Sequence, residues 1–144
     1  MLTRENARSK SVSVLIQTVK GDIEVTLGTL SIARRSQIIA SVQDAKPETI
    51  EVVVAGKKET KTDNQSPEFL RLMDEVVMKR NARLIMVYLI EGGNFEDMKD
   101  CTLDELEAFA LNELDADLFA GVLQAIFQIR SKLSVAVQTA KNSF

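Results

Sequence analysis

Histidine and tryptophan are absent from this 144-residue chain, which has a single tyrosine and a single cysteine, Cys101. Histidine is the commonest general base and the commonest metal ligand, so its absence removes much of the chemistry of enzymes. With so few aromatic rings, the chain offers little for nucleic-acid bases to stack on. One cysteine excludes an internal disulfide and a Cys-only zinc site. We therefore expect no catalytic residues, no metal and no cofactor, and a protein that is not an enzyme.

Long apolar runs are also missing. The longest covers residues 84–90, whereas a membrane span needs roughly 18–20 residues. A short apolar stretch over residues 12–19 follows a few basic residues, but no small-residue cleavage site comes after it. We expect no signal peptide and no contact with a membrane. The chain is predicted to work in a reducing cytoplasm.

Composition and length favour one globular domain. Apolar residues make up 45% and charged residues 27%, with a net charge of −3, which is close to the average soluble domain. We predict a mobile N-terminus and a short C-terminal tail around a single α+β domain. The predicted segments are 1–10 (mobile), 11–55 (β-rich), 56–65 (loop), 66–140 (helical) and 141–144 (tail).

The β-rich part begins with a predicted hairpin. Residues 11–19 are rich in Val, Ile and Thr, and a turn at Lys20-Gly21-Asp22 follows. Apolar and polar residues then alternate, which places one set of side chains on a single sheet face. Two such runs around a Gly-Asp turn predict an antiparallel pair. The apolar set is Ile23, Val25 and Leu27.

A helix and a third strand are predicted next. Ser31 is a suitable cap for a helix over residues 32–43, and Pro47 lies beyond its end. Its apolar stripe is expected to contain Ile32, Ile39 and Val42, with Ile38 beside them. The β-branched run in residues 50–54 is typical of a fully buried strand. Residues 56–65 are polar throughout and are expected to form a flexible loop.

The second part is predicted to hold three helices. The first begins at Ser66-Pro67 and stops at Gly92-Gly93, on the preferences of helix ends for these residues. The second covers residues 103–114 behind a capping box of Thr102 and Glu105. Asp115 or Asp117 caps the third, which runs to about residue 140. The predicted fold is thus α+β: a small antiparallel sheet with one packed helix, followed by a helical half of three helices.

Negative charge is concentrated in residues 91–117, where ten acids face Lys99 alone, a local net charge of −9. One interpretation places these acids at helix N-termini on a solvated face. The other is a patch that attracts a basic protein segment. Binding to nucleic acid is disfavoured, because Arg34-Arg35 and Lys57-Lys58 are too isolated to form a basic footprint.

Known site motifs do not fit. Gly56-Lys57-Lys58 lacks the spacing of a phosphate loop and the Ser or Thr that follows its lysine. The acids have neither the alternation nor the central glycine of a calcium loop. Paired carboxylates for hydrolysis stay open, since acids that are distant in sequence can meet in space. Cys101 has no histidine partner, and we interpret it as a structural thiol.

The helix after Pro67 carries two arginines in or beside its apolar face. A buried charge without a partner is costly, so one interpretation is that Arg80 and Arg83 extend to the edge of the apolar face or pair with a nearby carboxylate. The other is that they contact the acids of a partner. Residues 84–90 are apolar on all sides, which indicates full burial in this domain or against another subunit. The apolar face consists of Phe69, Met73, Val76, Val77, Leu84 and Val87.

The last helix has an apolar stripe and some apolar residues away from it. The stripe is expected to face the core. Phe127 and Val135 lie off it and Leu123 lies at its margin, and such positions are candidates for contact with a partner. The stripe comprises Leu118, Phe119, Val122, Ile126, Ile129, Leu133 and Val137.

The order of these parts resembles the phage tail assembly chaperones of long-tailed bacteriophages. The resemblance covers about residues 20–135 and rests on three stretches of apolar patterning, not on catalytic signatures. They are "DIEVTLGTLSIARRSQIIASV", "EVVMKRNARLIMVYLIEGG" and "LDELEAFALNELDADLFAGVLQAIFQIRSKL".

The resemblance implies a non-enzymatic chaperone in the cytoplasm of the infected host. Members of this family bind the helical tape-measure protein, keep it soluble, help tail-tube subunits to assemble around it, and leave before the particle is complete. The acidic segment would then supply solubility or meet basic segments of the client. If the chain forms a homo-oligomer, residues 84–90 and the off-stripe residues of the last helix are the expected interface.

The family often makes a longer form by ribosomal frameshifting. Here Ala140-Lys141-Asn142 is compatible with a slippery A-AAA-AAC heptamer in the gene. Two other functions stay open: a tail-completion or connector protein that is retained in the particle, and a small cytoplasmic adaptor.

Overall fold

The first hairpin forms as predicted. The computed structural model describes residues 1, 3 and 11–142, and it describes the side chains of that range apart from those of residues 48 and 131–142. In it, β1 (Val12–Thr18) pairs antiparallel with β2 (Gly21–Leu27). Val25 and Leu27 are buried, whereas Ile23 near the turn is exposed. The predicted alternation is therefore confirmed except beside the turn, where Ile23 is exposed.

The second hairpin corrects two predictions. β3 (Glu48–Val54) pairs not with the first hairpin but with β4 (Lys57–Asp63), a strand in the segment that we expected to be a loop over residues 56–65. The turn residues Ala55 and Gly56 both have positive φ, as a tight type I′ turn requires. β3 is not fully buried, since Val53 is 70% exposed. Within the described residues this hairpin packs chiefly on itself, and two strands alone cannot bury their apolar side chains.

Four α-helices are present in the described residues, and the α+β class is confirmed: α1 (Ile32–Ala40), α2 (Pro67–Glu91), α3 (Leu103–Asn112) and α4 (Ala116–Asn142), with a short 3₁₀ turn at Glu96–Met98. The predicted caps are confirmed at Ser31, at Ser66 and in the capping box of Thr102 with Glu105. Of the predicted N-terminal segment 1–10, only residues 1 and 3 lie within the described residues. Of the predicted tail, residues 143–144 lie outside them and residues 141–142 belong to α4.

The predicted stripe on the first helix is wrong at one end. Ile38 is fully buried, but Ile32 is almost fully exposed. The helix also ends at Ala40, three residues earlier than predicted, and packs mainly against α2 rather than against the sheet. Only its C-terminal half therefore reaches the core.

Helix α2 lies at the centre of the core. Every residue from 82 to 89 is buried and Ile90 is half-buried, because β2, α1, α3 and α4 all pack around this part of the helix. The predicted burial of residues 84–90 is thus accounted for within this chain, and they do not form an exposed surface for a second subunit.

Two glycines let α2 end against the edge of β2. A Cβ atom on Gly92 would lie 2.1 Å from the carbonyl oxygen of Thr26, and one on Gly28 would lie 2.4 Å from Cβ of Glu91. The backbone N–H of Gly28 donates to the carbonyl of Tyr88 at 2.8 Å. The side-chain amide of Asn94 also donates to Thr26 O at 2.6 Å. Residues without a side chain are therefore needed where helix and strand meet.

Arg83 is buried, with 8% of its surface exposed, and its guanidinium is surrounded by oxygens. Its N–H groups donate to Asp104 at 2.6 Å, to Glu107 at 3.0 Å and to the Ser41 hydroxyl at 3.1 Å. These bonds join α2 to α3 and to the residue that follows α1. The prediction that Arg83 pairs with a nearby carboxylate is confirmed.

We expect Arg83→Met to lower the free energy of unfolding by about 3 kcal/mol, because it leaves the mostly buried Glu107 carboxylate without a counter-charge. Urea denaturation followed by circular dichroism measures this loss. Arg71→Met is the matched control, since the carboxylates that pair with Arg71 are exposed, and we expect it to have little effect. The double variant Arg83→Met/Glu107→Gln should recover part of the loss, and equal losses in the single and double variants would contradict this account.

Candidate protein-binding groove

A groove of about 130 Å³ opens where α1, α2 and α4 meet. Its volume is close to the roughly 150 Å³ of an apolar cavity that accepts benzene, so it has room for one large apolar side chain. We call it the three-helix groove. It is lined by Arg35 and Ile39 of α1, by Val77, Arg80, Asn81 and Leu84 of α2, and by Leu123, Ile126, Phe127 and Arg130 of α4.

Helical spacing brings these residues together. On α4, Leu123, Phe127 and Arg130 follow one another at intervals of four and three, so they share one face. That face lies beside the buried one, which carries Val122 and Ile126. Phe127 is consequently 50% exposed, with one part of its ring against the groove and the other in water.

An apolar strip on α2 leads into the three-helix groove. Leu70, Val77 and Leu84 are spaced by seven residues and therefore lie on one side of the helix. Leu70 and Val77 are both about half exposed, at 47% and 49%, whereas Leu84 is buried at the groove. At 1.5 Å per residue, this strip is roughly 21 Å long. We call these three residues the α2 strip.

Arg80 lies on the rim of the groove and is paired within the chain. It donates to the carbonyls of Ile39 at 3.1 Å and Val42 at 2.9 Å, and to the Asp44 carboxylate at 2.7 Å. A cation at the C-terminal end of α1 is favourable there, because the last carbonyls of a helix lack internal partners. The prediction of a nearby carboxylate is confirmed for Arg80 as well.

The structure brings together three of the five residues that the sequence identified as partner contacts. Arg80, Leu123 and Phe127 line the same groove, whereas Arg83 lies outside it among oxygens of α3 and Ser41. The side chain of Val135 lies outside the described residues. That these residues contact a partner stays a prediction.

Sequence reasoning missed the groove residues of α1 and, apart from Arg80, did not identify those of α2 as partner contacts. Val77 was assigned to the buried face of α2, but it is half exposed. Arg35 and Ile39 become part of the groove only because α1 folds back onto α2. No local pattern in the sequence indicates that packing.

Cys101 lacks the environment of a reactive thiol. Its side chain is half-buried against the core, and this burial raises its pKa, which Glu105, Asp97 and Asp100 raise further. A thiol with a raised pKa is protonated at neutral pH and is a poor nucleophile. In the part of the chain that the structure describes, there is no cluster of three or more acidic or cysteine side chains placed to hold a metal.

Among the described helices, none combines the length and apolar composition that crossing a membrane requires. No protein-family model matches the chain, and comparison with curated proteins and with solved structures finds no similar protein.

We expect Phe127→Asp to leave the fold intact and to cost about 1 kcal/mol, because only half of the ring is buried and full burial of a phenylalanine contributes about 1.5–3 kcal/mol. Val122→Asp, five residues earlier on the buried face, should cost more than about 4 kcal/mol, because it buries an unpaired charge. Thermal denaturation measures both. A loss for Phe127→Asp as large as that for Val122→Asp would show that Phe127 belongs to the core.

Proposed function

We propose that this chain is a phage tail assembly chaperone that binds the tape-measure protein and keeps it soluble until tail-tube subunits enclose it. The order of elements and the apolar patterning that resemble this family support the proposal. The observation that carries it is the α2 strip, which ends in the three-helix groove beside the half-exposed Phe127.

The shape of this surface suits an amphipathic helix. Helical ligands bury apolar side chains at intervals of three, four and seven residues in a groove of their partner. The α2 strip presents the half-exposed Leu70 and Val77 and leads to the buried Leu84 in the groove. From Leu70 to Leu84 the strip is roughly 21 Å long, the length of about 14 helical residues. A tape-measure protein exposes such helical stripes before assembly, and covering them would prevent its aggregation.

Acidic residues that lie outside this binding surface would keep the complex soluble. The acids of residues 91–117 are separate from the groove lining, and several of them have structural roles of their own. Asp104 and Glu107 pair with Arg83, and Glu105 completes the capping box of α3. Asp117 accepts a hydrogen bond from the backbone of Val19, which lowers the pKa of Asp117. Carboxylates that stay ionised at neutral pH favour solubility.

Co-expression with the longest helical protein encoded nearby tests the proposal. We expect that protein to be soluble and to co-purify with the native chain. With Phe127→Asp, the amount that co-purifies should fall at least about tenfold, because a charge replaces an apolar contact residue. Val53→Asp is the matched control, since Val53 is an exposed apolar residue of the second hairpin. A client that stays insoluble in the presence of the native chain would contradict the proposal.

Purified particles separate a chaperone from a tail-completion or connector protein. Mass spectrometry of intact particles should not detect this chain if it is a chaperone, because the tail tube takes its place on the tape-measure protein. Its presence at a constant copy number per particle would favour the structural component.

A further inference from the structure

The rim of the three-helix groove carries positive charge that the described acidic residues do not fully neutralise. Three arginines line it: Arg35, Arg80 and Arg130. Of these, Arg80 is paired with Asp44, whereas no described carboxylate forms an ion pair with Arg35 or Arg130. Among the residues that the structure describes, none of those lining the groove is acidic. The groove therefore joins an apolar floor to an unbalanced cationic rim.

Arg35 has an unmet hydrogen bond at this position. Its Nε atom is buried and, among the described residues, has no hydrogen-bond partner. A buried donor without a partner costs free energy, and most such donors in proteins are satisfied. Because this Nε atom is itself buried, a ligand's carboxylate would pair with the terminal N–H groups of the Arg35 guanidinium, for which it is the strongest acceptor.

Arg130 lies beside the half-exposed ring of Phe127. Its Cζ atom lies 6.0 Å from the centre of the Phe127 ring, at the limit of a cation–π contact. An arginine stacked on a ring keeps its N–H groups free for an acid. Arg35 lies on the α1 wall and Arg130 on the α4 wall, so a helix lying along α2 would pass between them.

We propose that the three-helix groove binds an acidic amphipathic helix, whose apolar anchor enters the groove while carboxylates on both sides of its stripe pair with Arg35 and Arg130. This inference rests on the proposed function in that it describes the segment of the client that the groove selects. The groove and residues 91–117 carry charge of opposite sign. The groove therefore attracts acidic segments of the client, and residues 91–117 repel them.

Two synthetic helical peptides of about 18 residues serve as probes, a length at which an isolated helix begins to be stable. Both carry the same leucine stripe, flanked by glutamates in one and by lysines in the other. Fluorescence anisotropy measures their affinity for the full chain. We expect the glutamate peptide to bind at least about tenfold more tightly, and the difference to shrink in about 0.5 M NaCl, where charges are screened.

Charge reversal in the groove provides the decisive comparison. Arg35→Glu/Arg130→Glu should reverse the preference, so that the lysine peptide binds more tightly. Arg34→Glu/Lys79→Glu is the matched control, because it changes the net charge equally at residues that do not line the groove, and it should retain the preference for glutamate. Circular dichroism checks that each variant is folded.

Three outcomes would overturn the inference. The first is that neither peptide binds at about 1 mM, which is weak even for a transient complex. The others are that both peptides bind equally, or that the charge reversal in the groove leaves the preference unchanged. The proposed function fails separately. If the tape-measure protein does not co-purify while the groove still prefers the glutamate peptide, the client is a different protein. If it co-purifies and the peptides bind equally, the function stands and the acidic selectivity falls.

Discussion

The buried guanidinium of Arg83 sets the arrangement of the helices. An unpaired charge inside a core is strongly unfavourable, so α2 can be surrounded on all sides from residue 82 to residue 89 only if oxygens are brought to that charge. Asp104 and Glu107 of α3 and the hydroxyl of Ser41 supply them. One side chain thus fixes both the helix that precedes α2 and the helix that follows it. Arg80, one turn earlier, fixes the end of α1 in the same way.

At its C-terminal end, α2 is positioned by close packing rather than by charge. Gly28 and Gly92 allow the backbone of α2 and that of β2 to approach within hydrogen-bonding distance, and Asn94 joins the two with its amide. The outer edge of β2 is therefore covered by the end of α2. Across the hairpin, β1 packs on α4, where Gly121 leaves room for the side chain of Ile16. The first hairpin thus closes the core over both long helices.

The parts of this fold that depend on local chemistry could be predicted from the sequence. Helix ends at Ser66, at Gly92 and at Thr102 follow from capping preferences, and the exposure of Phe127 follows from helical periodicity. β4 was missed because it is polar on both faces, so no alternation in hydrophobicity marks it. The carboxylates that pair with Arg83 belong to residues 21 and 24 positions further along the chain. The α1 wall of the groove depends on how two helices pack. Neither relation leaves a local signal.

The position of the groove follows from the same constraint. The buried residues of α2 are concentrated in its C-terminal part, where Arg83 and the glycine contacts lie, and Val76 is the one buried residue of α2 before residue 82. The second hairpin, which precedes α2, packs chiefly on itself and leaves its apolar side chains exposed. The apolar residues of α2 are consequently only partly covered, and the groove lies at the boundary, where Val77 is half exposed and Leu84 is buried. One helix supplies both the centre of the core and the open surface, so a ligand on that surface would bind directly to the helix that the core is built around.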